Sequence, residues 1–212
     1  SKKPGRLQMF IRTILIMIML ITSISLVSGT MNHDVEWQKC LGGSGPDYAA
    51  SNIFETTDGG FFIAGKSSSN DGNVTGNHGM DDFWVVKLDG NGEIEWQKSL
   101  GGTKNEEAHS AIQTDDGGYL VGGFTESIDG EVSVNHGNSD VWVVKLNQTG
   151  EIEWEKSLGG TDWDISHGLT QTSDGGYVIG AETASTDGDV GKNNGSLDLW
   201  IVKLSKDGNF EW

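Results

Sequence analysis

Cysteine is nearly absent from this 212-residue chain. The one residue, Cys40, cannot close an internal disulfide, so the fold is not a disulfide scaffold. No apolar small-residue pattern precedes Cys40, which excludes a lipoprotein reading, and its repeat counterparts are Ser99 and Ser157. Two prolines and 32 glycines leave turn-making to glycine. Positive charge is scarce, with 14 Lys and Arg against 31 Asp and Glu and a formal net charge of −17. Residues 1–29 hold four of those 14 bases and no acid, so the remainder carries 31 acids against 10 bases. A surface of that sign repels nucleic acid and anionic lipid. No nucleophile elbow, zinc-binding helix motif, phosphate loop or Cys-x-x-Cys occurs. A hydrophobic content of 35% is nonetheless enough to fold.

Long apolar runs are confined to the N-terminus. Residues 13–27 form an apolar run diluted at its end by Thr22, Ser23 and Ser25; Lys2, Lys3, Arg6 and Arg12 precede it, and Ser28-Gly29 follow. A basic segment, a short apolar core and small residues describe a signal peptide, residues 1–29, cleaved after Gly29. The clean apolar run falls short of the ~20 residues a spanning helix needs, so no membrane span is expected after cleavage; the alternative is an uncleaved membrane anchor. Met9 is a plausible true start, which makes residues 1–8 spurious. The signal segment implies a secreted or cell-surface protein, and a secreted protein without disulfides points to a prokaryote rather than a eukaryote.

What the chain does have is one unit written three times. Trp37-Gln-Lys-Cys-Leu-Gly-Gly returns at Trp96 and Trp154, and a further copy begins at Trp212. Such a period marks an array of supersecondary units that bury their apolar faces on one another. The repeats run over 30–212, about 37–95, 96–153 and 154–211, and the C-terminus reads as truncated.

Each unit carries a hairpin turn, Asp58-Gly59-Gly60, Asp116-Gly117-Gly118 or Asp174-Gly175-Gly176, with an apolar run immediately after it. A polar loop leads to Phe83–Leu88, Val141–Leu146 or Leu199–Leu204, β-branched and aromatic runs that suit strands. A glycine turn then leads to a segment in which Ile94, Trp96, Lys98 and Leu100 alternate with Glu95, Gln97 and Ser99. Strands are expected at 49–56, 61–67, 82–88 and 93–99, and again one and two periods later. The fold class is therefore all-β: three four-stranded antiparallel sheets, the blades of a β-propeller in an incomplete ring. A β-solenoid is the alternative. Trp84, Trp142 and Trp200 are expected between sheets, and Trp96 and Trp154 at the interfaces.

The segment Leu88–Trp96 resembles the repeat of quinoprotein-type propellers, with Trp four residues after Gly at Gly92–Trp96, Gly150–Trp154 and Gly208–Trp212. The resemblance implies that this Trp docks on the neighbouring blade. The full unit, with Leu-Gly-Gly, Asp-Gly-Gly-Tyr and Trp-Val-Val-Lys-Leu, resembles the tandem repeats of large secreted prokaryotic surface proteins. It covers residues 35–212 and implies architecture rather than activity.

Candidate chemistry is sparse. The long loop pairs Asp71 with Asn73, Asp129 with Glu131, and Asp187 with Asp189, and Asn77, Asn135 and Asn193 and Asp82, Asp140 and Asp198 come after them. Oxygen donors spaced around glycine suit Ca²⁺. The competing reading makes them turn formers, with the Asp before each strand accepting from a backbone N–H. His78 and His136 recur in that loop, where the third copy has Asn194. His109 and His167 align with Ser51 and read as ordinary exposed residues. Asp47, Glu106 and Asp164 share one position, where a hydrogen-bonded turn is favoured over acid–base duty. Asn73, Asn147 and Asn194 fit the glycosylation sequon. The copies are nearly interchangeable, and this favours a non-enzymatic protein in adhesion, recognition or surface architecture, with a protein or glycan ligand and no cofactor. The alternative is a propeller enzyme of quinoprotein or glycosidase type.

Overall fold

The structure is a computed structural model and describes residues 35–212. The signal-peptide reading of 1–29 lies outside the described residues.

From Trp37 onward the chain forms one compact unit of eleven strands, and no helix occurs among the described residues. Strands β1 (Asp47–Glu55), β2 (Phe61–Ser67), β3 (Asp82–Leu88) and β4 (Ile94–Leu100) pair in chain order as one sheet. Strands β5 (Glu106–Gln113), β6 (Tyr119–Thr125), β7 (Asp140–Leu146) and β8 (Ile152–Leu158) repeat it. Strands β9 (Asp164–Gln171), β10 (Tyr177–Thr183) and β11 (Asp198–Leu204) form the third. Every named pair is antiparallel, so the parallel coils of a solenoid are not what the repeat builds.

The third sheet departs from the expected four strands and has three. Its fourth position is only begun: Lys203 donates its N–H to Trp212 O at 2.8 Å, and Glu211 donates back to Lys203 O at 2.9 Å. The sheets are also phased differently from the sequence period, because Trp96 and Trp154 lie inside β4 and β8 rather than at unit starts.

The hairpins have a common local cause. Gly59 donates to Thr56 O and Thr56 to Gly60 O, both at 2.8 Å, and Gly59 has φ +83°. This is a type I turn closed by a left-handed glycine. Asp58 does not take positive φ. It caps the turn instead, accepting from Thr56 Oγ1 at 2.5 Å and Gly60 N at 3.1 Å.

The lysine of each Trp-Val-Val-Lys-Leu run is buried. Lys145 is 2% exposed, meets Asp116 at 3.0 Å and Glu153 at 2.8 Å, and donates to Leu146 O. Lys87 meets Asp58 and Glu95 in the same way, and Lys203 meets Asp174 and Glu211. One ammonium thus ties the first hairpin of each unit to its last strand. The charge stays buried because two carboxylates and a carbonyl satisfy it.

Sheets pack face to face through alternate residues of the third strand. Phe83 and Val85 face the second sheet, where Phe83 lies 4.7 Å from Trp142 between ring centroids. Val141 and Val143 face the third sheet and pack with Tyr177, Ile179 and Val202. Trp142 is buried between sheets as expected, whereas Trp84 is buried against Trp37 and Leu41 rather than against a neighbouring sheet; their indole N–H groups donate to Glu155 and Gln97. Trp200 is only partly buried. Trp96 meets Tyr119 at 5.7 Å and lies over Gly150, where a Cβ would come within 2.8 Å of the ring. Trp154 meets Tyr177 and Gly208 alike, and Trp37 meets Phe61 and Gly92. Each docking Trp therefore needs glycine in the next unit for close approach as well as for φ near +80°.

Candidate functional site

The loop carboxylates proposed for Ca²⁺ reach backwards along the chain. Asp71 accepts from Ser44 N at 2.6 Å, and Asn73 from Gly42 N at 3.3 Å. Asp129 accepts from Thr103 N and Oγ1, and Glu131 from Gly101 N at 3.0 Å. Asp187 accepts from Thr161 N at 2.8 Å, and Asp189 from Gly159 N at 3.3 Å. Each pair thus pins its loop to the Leu-Gly-Gly segment before it. Asn77, Asn135 and Asn193 close the same loops by donating to Ser67 O, Thr125 O and Thr183 O. Among the described residues, no group of three or more His, Cys, Asp or Glu side chains is placed to hold a metal ion.

The carboxylates after Leu-Gly-Gly are turn anchors. Glu106 accepts from Gly102 N, Thr125 Oγ1 and Ser127 N. Asp47 accepts from Gly43 N and Asp164 from Gly160 N, both at 2.8 Å. Asp82, fully buried, accepts from His78 N at 3.0 Å and Nδ1 at 2.7 Å, while its Oδ1 has no hydrogen-bond partner. Burial pushes the Asp82 carboxyl up to about 6, and the charge of Glu106 adds to the rise despite the His78 contacts. Burial works against the His78 imidazolium, yet Asp82 and the charges of Glu131 and Glu106 outweigh it and raise its pKa. Asp140 repeats Asp82, with His136 as its partner and Asp164 as its like charge.

A different set of residues forms a cleft. The first strands of successive sheets pack side by side, β1 with β5 and β5 with β9. Between them opens a cavity of 330 Å³ whose lining includes Tyr48, Lys66, Glu107, His109 and His167. Lys66 Nζ lies 2.8 Å from Glu107, 3.1 Å from Asp81 and 5.6 Å from the Tyr48 ring centroid. Burial lowers the Lys66 pKa, but hydrogen bonds and charge from Glu107 and Asp81 outweigh it, so the ammonium is held more firmly than usual. His109 and His167 stack with ring centroids 5.3 Å apart and planes at 15°. His109 Nδ1 lies 3.0 Å from Ser166 O and Nε2 lies 3.5 Å from Glu107, while His167 Nε2 lies 3.4 Å from Glu182.

Backbone irregularity puts the two histidines there. Ala108 pairs with Gly123 and Ser110 with Gly122, which leaves His109 as the extra residue of a β-bulge. His167 is the extra residue between Ser166 and Gly168 in the third sheet. A bulge re-aims one side chain out of the strand alternation.

Comparison with known proteins adds little to this geometry. No family model matches the chain. The bacterial "Regulatory protein FlaEY" of Caulobacter vibrioides is 26% identical over 162 residues, covering 70% of this chain and 17% of that protein. A GH43_12 structure from a capybara gut metagenome aligns at a TM-score of 0.43 and 17% identity, over 73% of this chain and 28% of that one. A TM-score of that size carries no argument about fold or activity. The chain spans less than a third of the length of each of these two proteins.

The cleft overturns one expectation drawn from the repeat. Framework positions are the same in every copy, as in Trp84, Trp142 and Trp200 or Lys87, Lys145 and Lys203. Cleft positions are not: Tyr48, Glu107 and Ile165 correspond, as do Lys66, Phe124 and Glu182, and Asp81, Ser139 and Leu197. The copies are interchangeable in their scaffold and individual where the first strands meet. His109, expected to be an ordinary exposed residue, is partly buried. The signal available in the sequence was divergence between copies.

Proposed function

We propose that the chain is a run of β-propeller blades in a secreted or cell-surface protein, and that it recognises a protein or glycan through the cleft between its inner strands without turning it over. The observation that carries this reading is where the copies differ. An invariant scaffold of Trp-on-Gly docking supports repetition about an axis, and the differences at Tyr48, Glu107 and Ile165 and at Lys66, Phe124 and Glu182, where the first strands meet, support a ligand-specific surface. Charged, aromatic and imidazole groups side by side suit hydrogen bonding and stacking to a polar ligand. Lys66 and Glu107 neutralise each other, which argues against either as a free acid or base.

Glu107 and Glu182, each beside a histidine, favour a glycosidase as the second reading. The two part on one experiment: the full chain is presented to glycan and protein arrays, and each bound glycan is then incubated and assayed for reducing ends. Binding that Glu107→Gln and His109→Ala weaken, with no product released, supports recognition. Product release abolished by Glu107→Gln would replace that reading with the enzyme. An array with no binder would remove both.

A further inference from the structure

We propose that the recognition surface runs beyond the cleft along β9 to Trp163, and that its ligand is an uncharged glycan whose rings stack on that indole. The inference rests on the recognition reading above and names its ligand. Burial alternates along the first strands of the last two sheets. At the third sheet Asp164 and Ser166 are buried, while Trp163, Ile165 and His167 are accessible. At the second Glu106, Ala108 and Ser110 are buried, while Asn105, Glu107 and His109 are accessible. Alternate residues of a strand share a face, so the row that reaches the cleft at His167 begins at Trp163, four residues or about 13 Å away.

This row is not open for want of a neighbouring sheet. The second sheet has an apolar partner on both faces, and its equivalent residues Glu107 and His109 still line the cleft. The backbone of Trp163 is itself bridged to Ser139 of the second sheet, so the indole stands at a joint that is already closed. It is presented rigidly. The ring is 58% exposed, yet the Trp163 N–H donates to Asp162 Oδ1 at 3.1 Å and its carbonyl accepts from Ala184 N at 2.7 Å. Asn138 Nδ2 donates to the same Asp162 oxygen at 3.3 Å. An indole fixed in this way offers a large contact area at small entropic cost. The copies differ here as they do in the cleft, because Trp163 corresponds to Asn105 and Pro46.

The groups beside the ring choose the ligand. The buried centre of a protein interface is depleted of charge, whereas a carboxylate and an amide border Trp163. A sugar ring fits both features. Its C–H face meets the negative face of the indole, and the hydroxyls around its edge need partners of the kind that Asp162, Asn138 and, at the cleft, Glu107 supply. Charge narrows the class further. Lys66, the lysine lining the cleft, already meets Glu107 and Asp81. Acids therefore dominate the strip, as 31 acids against 14 bases dominate the chain, and anionic sugars are repelled.

Affinity electrophoresis of the full chain tests this, in gels holding a neutral glucan, mannan or xylan, or the anionic polygalacturonate. Trp163→Asn, Trp163→Phe and His109→Ala are run beside the wild type. Trp163→Asn installs the residue that the second copy carries at this position, so it should keep the wild-type melting temperature. At least one neutral polysaccharide should retard the wild type, and polygalacturonate should not. Trp163→Asn should weaken that retardation at least tenfold, and Trp163→Phe, which keeps an aromatic face, by no more than about threefold. Retardation by polygalacturonate alone, or by no polysaccharide, would overturn the inference. Retardation weakened by His109→Ala but untouched by Trp163→Asn would also overturn it, while leaving the cleft as the recognition site. Retardation that neither variant weakens would remove the cleft reading as well.

Discussion

Asp82 shows how an aspartate can act against the stability of its own fold. It is fully buried, one oxygen has no partner, and its carboxyl sits at about 6 against an ordinary value of 3.8. The folded state holds this proton more tightly than the unfolded chain. Its contribution is therefore unfavourable above about pH 6 and is relieved as pH falls from there towards 4. Asp140 shifts in the same direction. His78, raised by its partners, also stabilises on the acid side and loses its contribution as pH rises through its folded value. Asp58 runs the other way. Its Thr56 and Gly60 hydrogen bonds hold it at about 2, so its contribution is lost as pH falls below 3.8. Denaturant unfolding should accordingly show greater stability at pH 5.5 than at 7.5, by about 1 kcal/mol from Asp82. Asp82→Asn should flatten that difference. An unchanged slope in the variant would place the titration elsewhere. Lys145 offers a second residue-scale check. Its partners Asp116 and Glu153 are about half exposed and can rehydrate, so Lys145→Met should cost about 1.5 kcal/mol, the low end for a charged hydrogen bond. A loss several times larger would mean the ion pairs organise the hairpin and do more than satisfy the lysine.

Elements whose cause is local were legible before any coordinates. Asp-Gly-Gly and the apolar run after it place β2 at Phe61–Ser67 to the residue, and the β-branched run places β3 at Asp82–Leu88. β1 was harder, and it begins two residues earlier than expected at Asp47. Its register shifts between Ala49 and Ile53, and alternation cannot be followed across an inserted residue. The long loop was legible as a loop but not in its purpose. Alternating oxygen donors around glycine read equally as a cation site or as acceptors for backbone N–H groups, and only the fold shows Asp187 reaching Thr161 and Asp189 reaching Gly159. The cleft escaped because its histidines stand on bulges and its partners come from strands one period apart. Asp187→Ala should lower stability by about 1 kcal/mol with chelator present, the value of a hydrogen-bonded anchor. Millimolar Ca²⁺ should raise the wild-type melting temperature no more than Mg²⁺ at equal ionic strength. A Ca²⁺-specific rise lost in Asp187→Ala would make the loop a cation site.

At the scale of the molecule the sheets are alike in sequence and unlike in surroundings. The second sheet has an apolar partner on both faces, and the third has one open face and three strands. In a stacked array stability is a sum of unit terms and nearest-neighbour terms, so the unit with two neighbours opens least. Trp142 sits in that unit, 0% exposed and against Phe83. Trp142→Ala should cost about 3–5 kcal/mol, the range for a buried large aromatic. The cost should spread to the first sheet, whose Phe83 then faces a void. Native-state hydrogen exchange under dilute conditions, where each copy is alone, reads this gradient amide by amide. Protection should be greatest in β6 and β7, lower in β2 and β3, and lowest in β11, where only the begun strand at Glu211–Trp212 covers one edge. Uniform protection across the three sheets would mean the unit unfolds as a single cooperative block, and the nearest-neighbour account of its stability would fail.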